Sequence, residues 1–284
     1  MLSASTQLSL KSIFLGCIQR ENAKSISKRL CNTVSELALS ILLENEWPDM
    51  LSFMFQCVTF DSAKLQEAVF LIFMQLAQYI GKTIVSHIKH LYSVFLQSLT
   101  SSLSSDVKIT TLSVAINFIR YLSSSTDRDQ FQDLLSTMMR TISEALNCGQ
   151  EATTQEALEL LIELAWTEQR FLRRQLVDVV GSMLQITEAD SLEEGKRHLA
   201  VEFVITLAEA RERGRGMMRK LPQFISRLFA ILMKMLLDIE DDPAWHSADS
   251  EDEDVAESSN YSVGQECLDM LAISLGGNMI VPVA

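Results

Sequence analysis

Chain breakers are scarce. Four prolines and ten glycines in 284 residues are too few for the many reversals of an all-β fold. Long apolar runs are also missing. AVFLIFMQLA and LFAILMKMLL stop well short of the ~18 residues that cross a bilayer, and MLSASTQLSLKS lacks the basic stretch and clean apolar core of a secretory leader. A soluble intracellular protein without membrane contacts is expected. The cysteines, Cys17, Cys31, Cys57, Cys148 and Cys267, are odd in number and no two form a C-x-x-C. That disfavours a disulfide framework or a zinc knuckle and predicts reduced thiols filling helix interfaces. Positive charge is in short supply: 24 Lys and Arg face 37 Asp and Glu, a net charge of −13. Such a surface repels nucleic-acid phosphates and anionic lipid and favours basic partners. Neither G-x-S-x-G, H-E-x-x-H nor a Walker pattern occurs, so no enzyme, cofactor or metal site is expected.

What is present is helical periodicity. Leu65, Val69, Ile72, Phe73, Leu76 and Ile80 recur at the 3.6-residue period, as do Leu158, Leu161, Ile162 and Ala165. A Leu-Ala pair closes successive apolar segments at Leu37-Ala38, Leu76-Ala77, Leu164-Ala165, Leu207-Ala208 and Leu271-Ala272, with Phe118-Ile119 filling the slot once. The steps between first positions are 39, 42, 46, 43 and 64 residues. Four of the five fit the two-helix unit of about 40 to 47 residues found in HEAT and armadillo arrays. The spacing therefore predicts an all-α fold, an α-solenoid of HEAT repeats in which antiparallel helix pairs stack into a superhelix. Residues 1–284 form one array of about six repeats, incomplete at both ends, because neither MLSASTQLSLKSIFL nor GGNMIVPVA resembles a polar cap. Pro48 and Pro222 suit the starts of first helices, Asp106 opens a second helix, and Thr126, Asp127 and Asp129 are expected to supply N-cap chemistry.

The long last step coincides with DIEDDPAWHSADSEDEDVAE, residues 238–257. Its excess of 21 residues over the preceding step is about the length of this tract. An acidic loop over residues 238–260 is thus predicted inside the last repeat, between a helix ending near Leu237 and another starting near Ser262. Solvated charge is the default reading of such a run. Trp245 and His246 depart from it, and Trp245 is expected to dock back onto the helices.

Other constellations have plainer readings. His87 and His90 share a helix face but have no further ligands nearby, so they read as surface histidines. RERGRGMMRK (211–220), the one basic cluster, reads as a helix C-cap and turn rather than a nucleic-acid patch. Met138, Met139, Met217, Met218, Met233 and Met235 read as core filler. Ser250 has acid three residues on, a spacing open to an acid-directed kinase. Glu36, Glu156, Glu159, Glu163, Glu202 and Glu209 lie on second helices, which line the concave face of such solenoids. They could meet Lys or Arg of a bound peptide, or be ordinary solvated positions.

The run LPQFISRLFAILMKMLLDIEDDPAWHSADSEDED, followed by SVGQECLDMLAISLGG, resembles the importin-β (karyopherin-β) superfamily, and most of all its importin-five, or karyopherin-β three, branch. There a helix ends in an acidic segment with a D-x-A-W-H-like core, here Asp242-Pro243-Ala244-Trp245-His246, and a later helix carries a Leu-Asp motif and a Gly-Gly end. TVSELA and NEWPDMLSFMF fit the same pattern. The resemblance implies a nuclear transport receptor, or a fragment of one. Such a protein binds cargo with basic nuclear-localisation signals and the small GTPase Ran, touches Phe-Gly nucleoporins, and shuttles between cytoplasm and nucleus through the pore. Under it, Asp241, Asp242, Trp245, His246, Asp249, Glu251, Asp252, Glu253 and Asp254 become expected Ran or cargo contacts, and Glu156, Glu159, Glu163, Glu202 and Glu209 expected concave-face cargo contacts. Family members are several times longer, and their first and last repeats have no counterpart here. The alternative is a HEAT-repeat scaffold or regulatory subunit of another complex.

Overall fold

Capping signals set where the helices begin. The computed structural model describes residues 24–42, 54–58, 62–84, 87–100, 105–238 and 259–282, with scattered positions among 6–23. Among the described residues the regular elements are α-helices and short 3-10 turns. The chain divides into two compact units, residues 1–153 and 154–284, taken here in turn.

The first unit holds α1 (Lys24–Leu42), α2 (Ala63–Ile84), α3 (Ile88–Thr100), α4 (Ser105–Tyr121), α5 (Ser125–Asp129), a 3-10 turn (Gln132–Leu134) and α6 (Leu135–Asn147). Asp106 lies in the first turn of α4 as expected, where it favours the positive end of the helix dipole. The cap of α5 differs from expectation. Ser124, with extended backbone, accepts a hydrogen bond from the Asp127 amide, whereas Thr126 and Asp127 already lie inside the helix and cannot serve as caps.

Alternate helices stack. α2 packs on α1 and α4, while α3 packs on α4 and α6, so α1, α2 and α4 stack in file and α3 touches both its own partner and the equivalent helix of the next pair. Apolar stripes at helical spacing dictate this, because one helix pair cannot bury its apolar face alone. Phe95, from α3, has ring centroids 6.2 Å from Phe70 on α2, 6.2 Å from Phe118 on α4 and 6.2 Å from Phe131. Phe118 and Phe131 are 5.8 Å apart. All four rings are buried, each contributing roughly 1.5–3 kcal/mol. Polar ties reinforce the stack at its surface: Gln75 donates to Asn32 at 2.5 Å, and Lys108 pairs with Glu144 at 3.1 Å.

The second unit holds α7 (Glu151–Thr167) from Thr154 onward, α8 (Gln169–Leu172), a 3-10 turn (Arg173–Gln175), α9 (Leu176–Glu188), α10 (Glu194–Glu209), α11 (Arg211–Met218), α12 (Pro222–Leu236), α13 (Asn260–Leu275) and α14 (Gly277–Ile280). Pro222 occupies the first turn of α12. Ser259 caps α13 by accepting from the Ser262 amide at 3.3 Å. α10 packs on α9 and α13, and α12 on α9 and α13. Gly264 allows the last of these contacts: a Cβ there would stand 3.0 Å from Met235 Cβ and 3.2 Å from the Leu232 carbonyl. The two helices bracketing residues 239–258 are therefore in direct contact.

RERGRGMMRK departs from the expected cap and turn. Residues 211–218 form α11 itself, and Gly214 is buried within it. A Cβ at Gly214 would lie 2.6 Å from the Leu207 carbonyl oxygen, so this glycine serves close approach rather than termination. Of the methionines expected in the core, Met138, Met139, Met217 and Met218 are buried, Met235 is half-buried, and Met233 is exposed because it faces away from the α12 stripe of Ile225, Leu228 and Leu232. Cys31, Cys57 and Cys267 fill interfaces as expected. Burial pushes the Cys31 and Cys57 thiols up to about 11. Cys148 is exposed at the C-cap of α6, outside any interface.

Candidate acidic binding face

Second helices of successive pairs align their side chains, since each presents the same stripe to its neighbour. The Leu-Ala pairs show the register. Leu76-Ala77, Leu164-Ala165 and Leu207-Ala208 are wholly buried, as is Leu271, while Ala272 is exposed. Five residues before the pair, the side chain has turned well off the buried stripe. At that offset stand Glu159 on α7, Glu202 on α10 and Glu266 on α13, all exposed.

Glu202, the middle one, feels both of the others. Glu202 has its carboxyl raised above the usual range, first by partial loss of hydration and then by the charges of Glu159 and Glu266. Although Glu202 is an exposed residue, its carboxyl sits close enough to the helix surfaces to be partly shielded from water. Beside them, the buried Cys267 thiol is pushed up to about 12, by burial first and then by Glu266, Glu202 and Glu209. The structure thus gathers Glu159, Glu202, Glu209 and Glu266 into one negative field from three successive second helices. Glu159 also accepts a hydrogen bond from Gln155 at 3.0 Å, which steadies its carboxylate. Glu202, Glu209 and Glu266 make no ion pair among the described residues. Unneutralised acids held together in this way attract a polycation and cost some stability in its absence.

Of the expected concave-face contacts, Glu159, Glu202 and Glu209 are brought together. Glu156 and Glu163 lie on α7 and are exposed, at three residues before and four after Glu159. Glu266 was missed, although its signal was available as the fixed five-residue offset from the Leu-Ala pair. The expected contacts Asp241, Asp242, Trp245, His246, Asp249, Glu251, Asp252, Glu253 and Asp254 lie outside the described residues, as do Ser250 and Pro48. His87 and His90 are exposed against Phe55, at centroid distances of 5.7 and 4.5 Å. No group of three potential metal ligands occurs among the described residues.

The root of the acidic tract is tied down. The Asn260 amide donates to Asp238 at 2.7 Å and to Glu194 at 2.9 Å. Carboxylates only accept, so the Asn260 oxygen faces His198, whose Nε2–H donates to it at 2.7 Å. One buried amide therefore joins the end of α12, the start of α10 and the start of α13. Asn260, Asp238 and His198 line a cleft of 320 Å³ that also includes Arg197 and Lys234. Arg227 forks onto Glu188 nearby at 2.7 and 2.5 Å. The Arg227 hydrogen bonds hold the Glu188 carboxyl below its usual range.

The family model described as "IPO5-like, TPR repeats" matches residues 22–182, more than half of the chain, and an "Importin repeat" model matches residues 189–282. The chain belongs to the importin-5-like family. The repeat step here, 39 to 46 residues before the long one, exceeds the 34 of a standard TPR unit and suits HEAT geometry. Curated importin relatives are distant: a probable importin-5 homolog from Dictyostelium discoideum is 22% identical over 89% of this chain, and importin subunit beta-3 from Saccharomyces cerevisiae 21% over 95%. The chain spans 23% and 24% of their lengths. The solved structure of Kap121p bound to Ste12p superposes on 99% of this chain and 27% of its own, with a TM-score of 0.81 at 19% identity. The fold is the all-α HEAT-repeat solenoid of the karyopherins.

Proposed function

We propose that this chain is a section of a nuclear transport receptor that holds Lys- and Arg-rich cargo segments on the acidic face of α7, α10 and α13. The observation that carries the reading is the Glu159–Glu202–Glu266 ladder, three carboxylates in register on successive helices without cationic partners among the described residues. Packed helix axes lie about 8–10 Å apart, and three residues of an extended peptide span roughly 10 Å. A basic side chain at about every third position would therefore meet one carboxylate per repeat. Long-range attraction of basic segments to the negative surface speeds encounter, and the paired carboxylates fix register.

Importins are transport receptors that act by binding, and one solved Kap121p structure has it bound to Nup53p. By that likeness this chain touches nucleoporins with Phe-Gly repeats, moves between cytoplasm and nucleus, and meets Ran. In this reading Asp241, Asp242, Trp245, His246 and the acids Asp249, Glu251, Asp252, Glu253 and Asp254 offer further contacts for Ran or basic cargo. The test is capture of a peptide with lysine at every third position, alone and with Ran in its GTP and GDP forms. Salt-sensitive capture that is released by the GTP form supports the proposal. Capture that resists salt, or no capture, refutes it.

A further inference from the structure

We propose that the arginines on α8, the 3-10 turn after it and α11 form a docking surface for an acidic, Asp/Glu-rich segment of a partner protein. In a chain carrying −13, these two short elements concentrate positive charge. They pack on each other, and a Cβ on Gly214 would come within 3.3 Å of Gln169 Cγ. Glycine at 214 thus lets α11 close onto α8 and brings the flanking residues Arg170 and Arg215 to adjoining elements. Phe171 and Leu172 point into the core, which leaves Arg170, Arg173 and Arg174 exposed around them. Arg219 and Lys220, in the turn after α11, are exposed as well.

Four of these cations are left without a charged partner among the described residues. Arg173, Arg174, Arg215 and Lys220 make no ion pair with any side chain the structure describes. The Arg215 Nε–H is buried without a hydrogen-bond partner. Arg219 has a structural duty, donating to the Leu275 carbonyl at the end of α13 at 3.1 Å. Like charges gathered in this way repel one another, so Arg173, Arg174, Arg215 and Lys220 cost stability in the free chain.

Its chemistry selects the partner. Five of the six cations are arginines, whose planar fork takes a carboxylate through two parallel hydrogen bonds. Nucleic acid fits poorly, because a strand longer than the patch meets the excess negative charge of the rest of the chain. A short acidic peptide can end where the patch ends. The surface is distinct from the acidic face and calls for a partner of opposite charge.

The test uses the full chain and two fluorescein-labelled decapeptides, one of glutamate and one of lysine, read by fluorescence anisotropy. The glutamate peptide is expected to bind saturably and to weaken as salt rises from about 50 to about 200 mM. Arg173→Glu/Arg174→Glu, with unchanged far-UV circular dichroism, should weaken it by about tenfold and leave lysine-peptide binding unchanged or slightly tighter. Lys220→Glu should reproduce the loss in milder form, which guards against misfolding of the double variant. Absence of saturable glutamate-peptide binding overturns the proposal, as does binding that both variants retain. Tighter binding of a single-stranded decanucleotide than of the glutamate peptide also overturns it, in favour of a nucleic-acid site. Loss of lysine-peptide binding alone leaves this surface standing and counts against the acidic face.

Discussion

Neutralising Glu202 should stabilise the protein while weakening its hold on basic peptides. Glu202 lies between Glu159 and Glu266, and its carboxyl is raised by partial burial and then by those two charges. With carboxylates about 9 Å apart, as helix packing sets them, each repulsion is about 0.5 kcal/mol in water, or about 1 kcal/mol for both neighbours. A Debye length of about 8 Å at physiological salt reduces the total to roughly 0.3 kcal/mol. Glu202→Gln removes both terms and keeps the shape. The sign with pH follows from the direction of the shift. A carboxyl raised in the folded state destabilises the fold where it is ionised, and the penalty disappears as pH falls and Glu202 takes up a proton. The gain should therefore be present at neutral pH and vanish below the ordinary carboxylate range. Urea unfolding at low salt should show a midpoint higher by about 0.3 M, for an m-value near 3 kcal/mol/M, with m unchanged. At physiological salt the shift should shrink to roughly a third of that, in line with the screened repulsion. A destabilised variant, or a gain that ignores salt and pH, refutes the reasoning. Stability and binding moving in opposite directions is the signature of a site whose charges serve recognition rather than folding.

Three further outcomes follow from the packing. Gly214→Ala places a Cβ 2.6 Å from the Leu207 carbonyl and should cost about 1–3 kcal/mol, read as a lower urea midpoint. Asn260→Ala removes the amide that serves Asp238, Glu194 and His198. It should cost about 0.5–1.5 kcal/mol, because the half-buried His198 and the exposed Asp238 and Glu194 lose hydrogen bonds that water can partly replace. Deleting residues 241–257 should leave far-UV circular dichroism almost unchanged, and a large loss of cooperative unfolding would show that the tract belongs to the core.

Much of the fold is legible in the residues because the Leu-Ala register repeats a physical requirement, close packing of one helix pair on the next. Leu76-Ala77 and Leu207-Ala208 are buried for that reason. Caps and glycines were harder to read. Ser124, Thr126 and Asp127 are all good caps in isolation, and backbone geometry selects Ser124. Gly214 looked like a terminator because a close contact from a distant element leaves no local trace. The binding face was half legible. Exposed glutamates on second helices are visible in the sequence, whereas their mutual proximity depends on how α7, α10 and α13 stack. Glu266 shares the register of Glu159 and Glu202, yet it sits beyond the acidic tract, where the interrupted period hides it. The link from Asn260 to His198 spans 62 residues and has no sequence signature.

The central claim is that the carboxylate ladder is the binding site for basic segments. Its most direct test is the affinity of a lysine-every-third-residue peptide for the native chain and for Glu159→Lys/Glu202→Lys/Glu266→Lys, measured by anisotropy at physiological salt. Each exposed pair is worth about 0.2–1 kcal/mol. Losing three pairs and adding three repulsions should weaken binding by roughly tenfold to a hundredfold or more, with a shallower salt dependence. Equal affinity in the two proteins, with folding intact, would contradict the account.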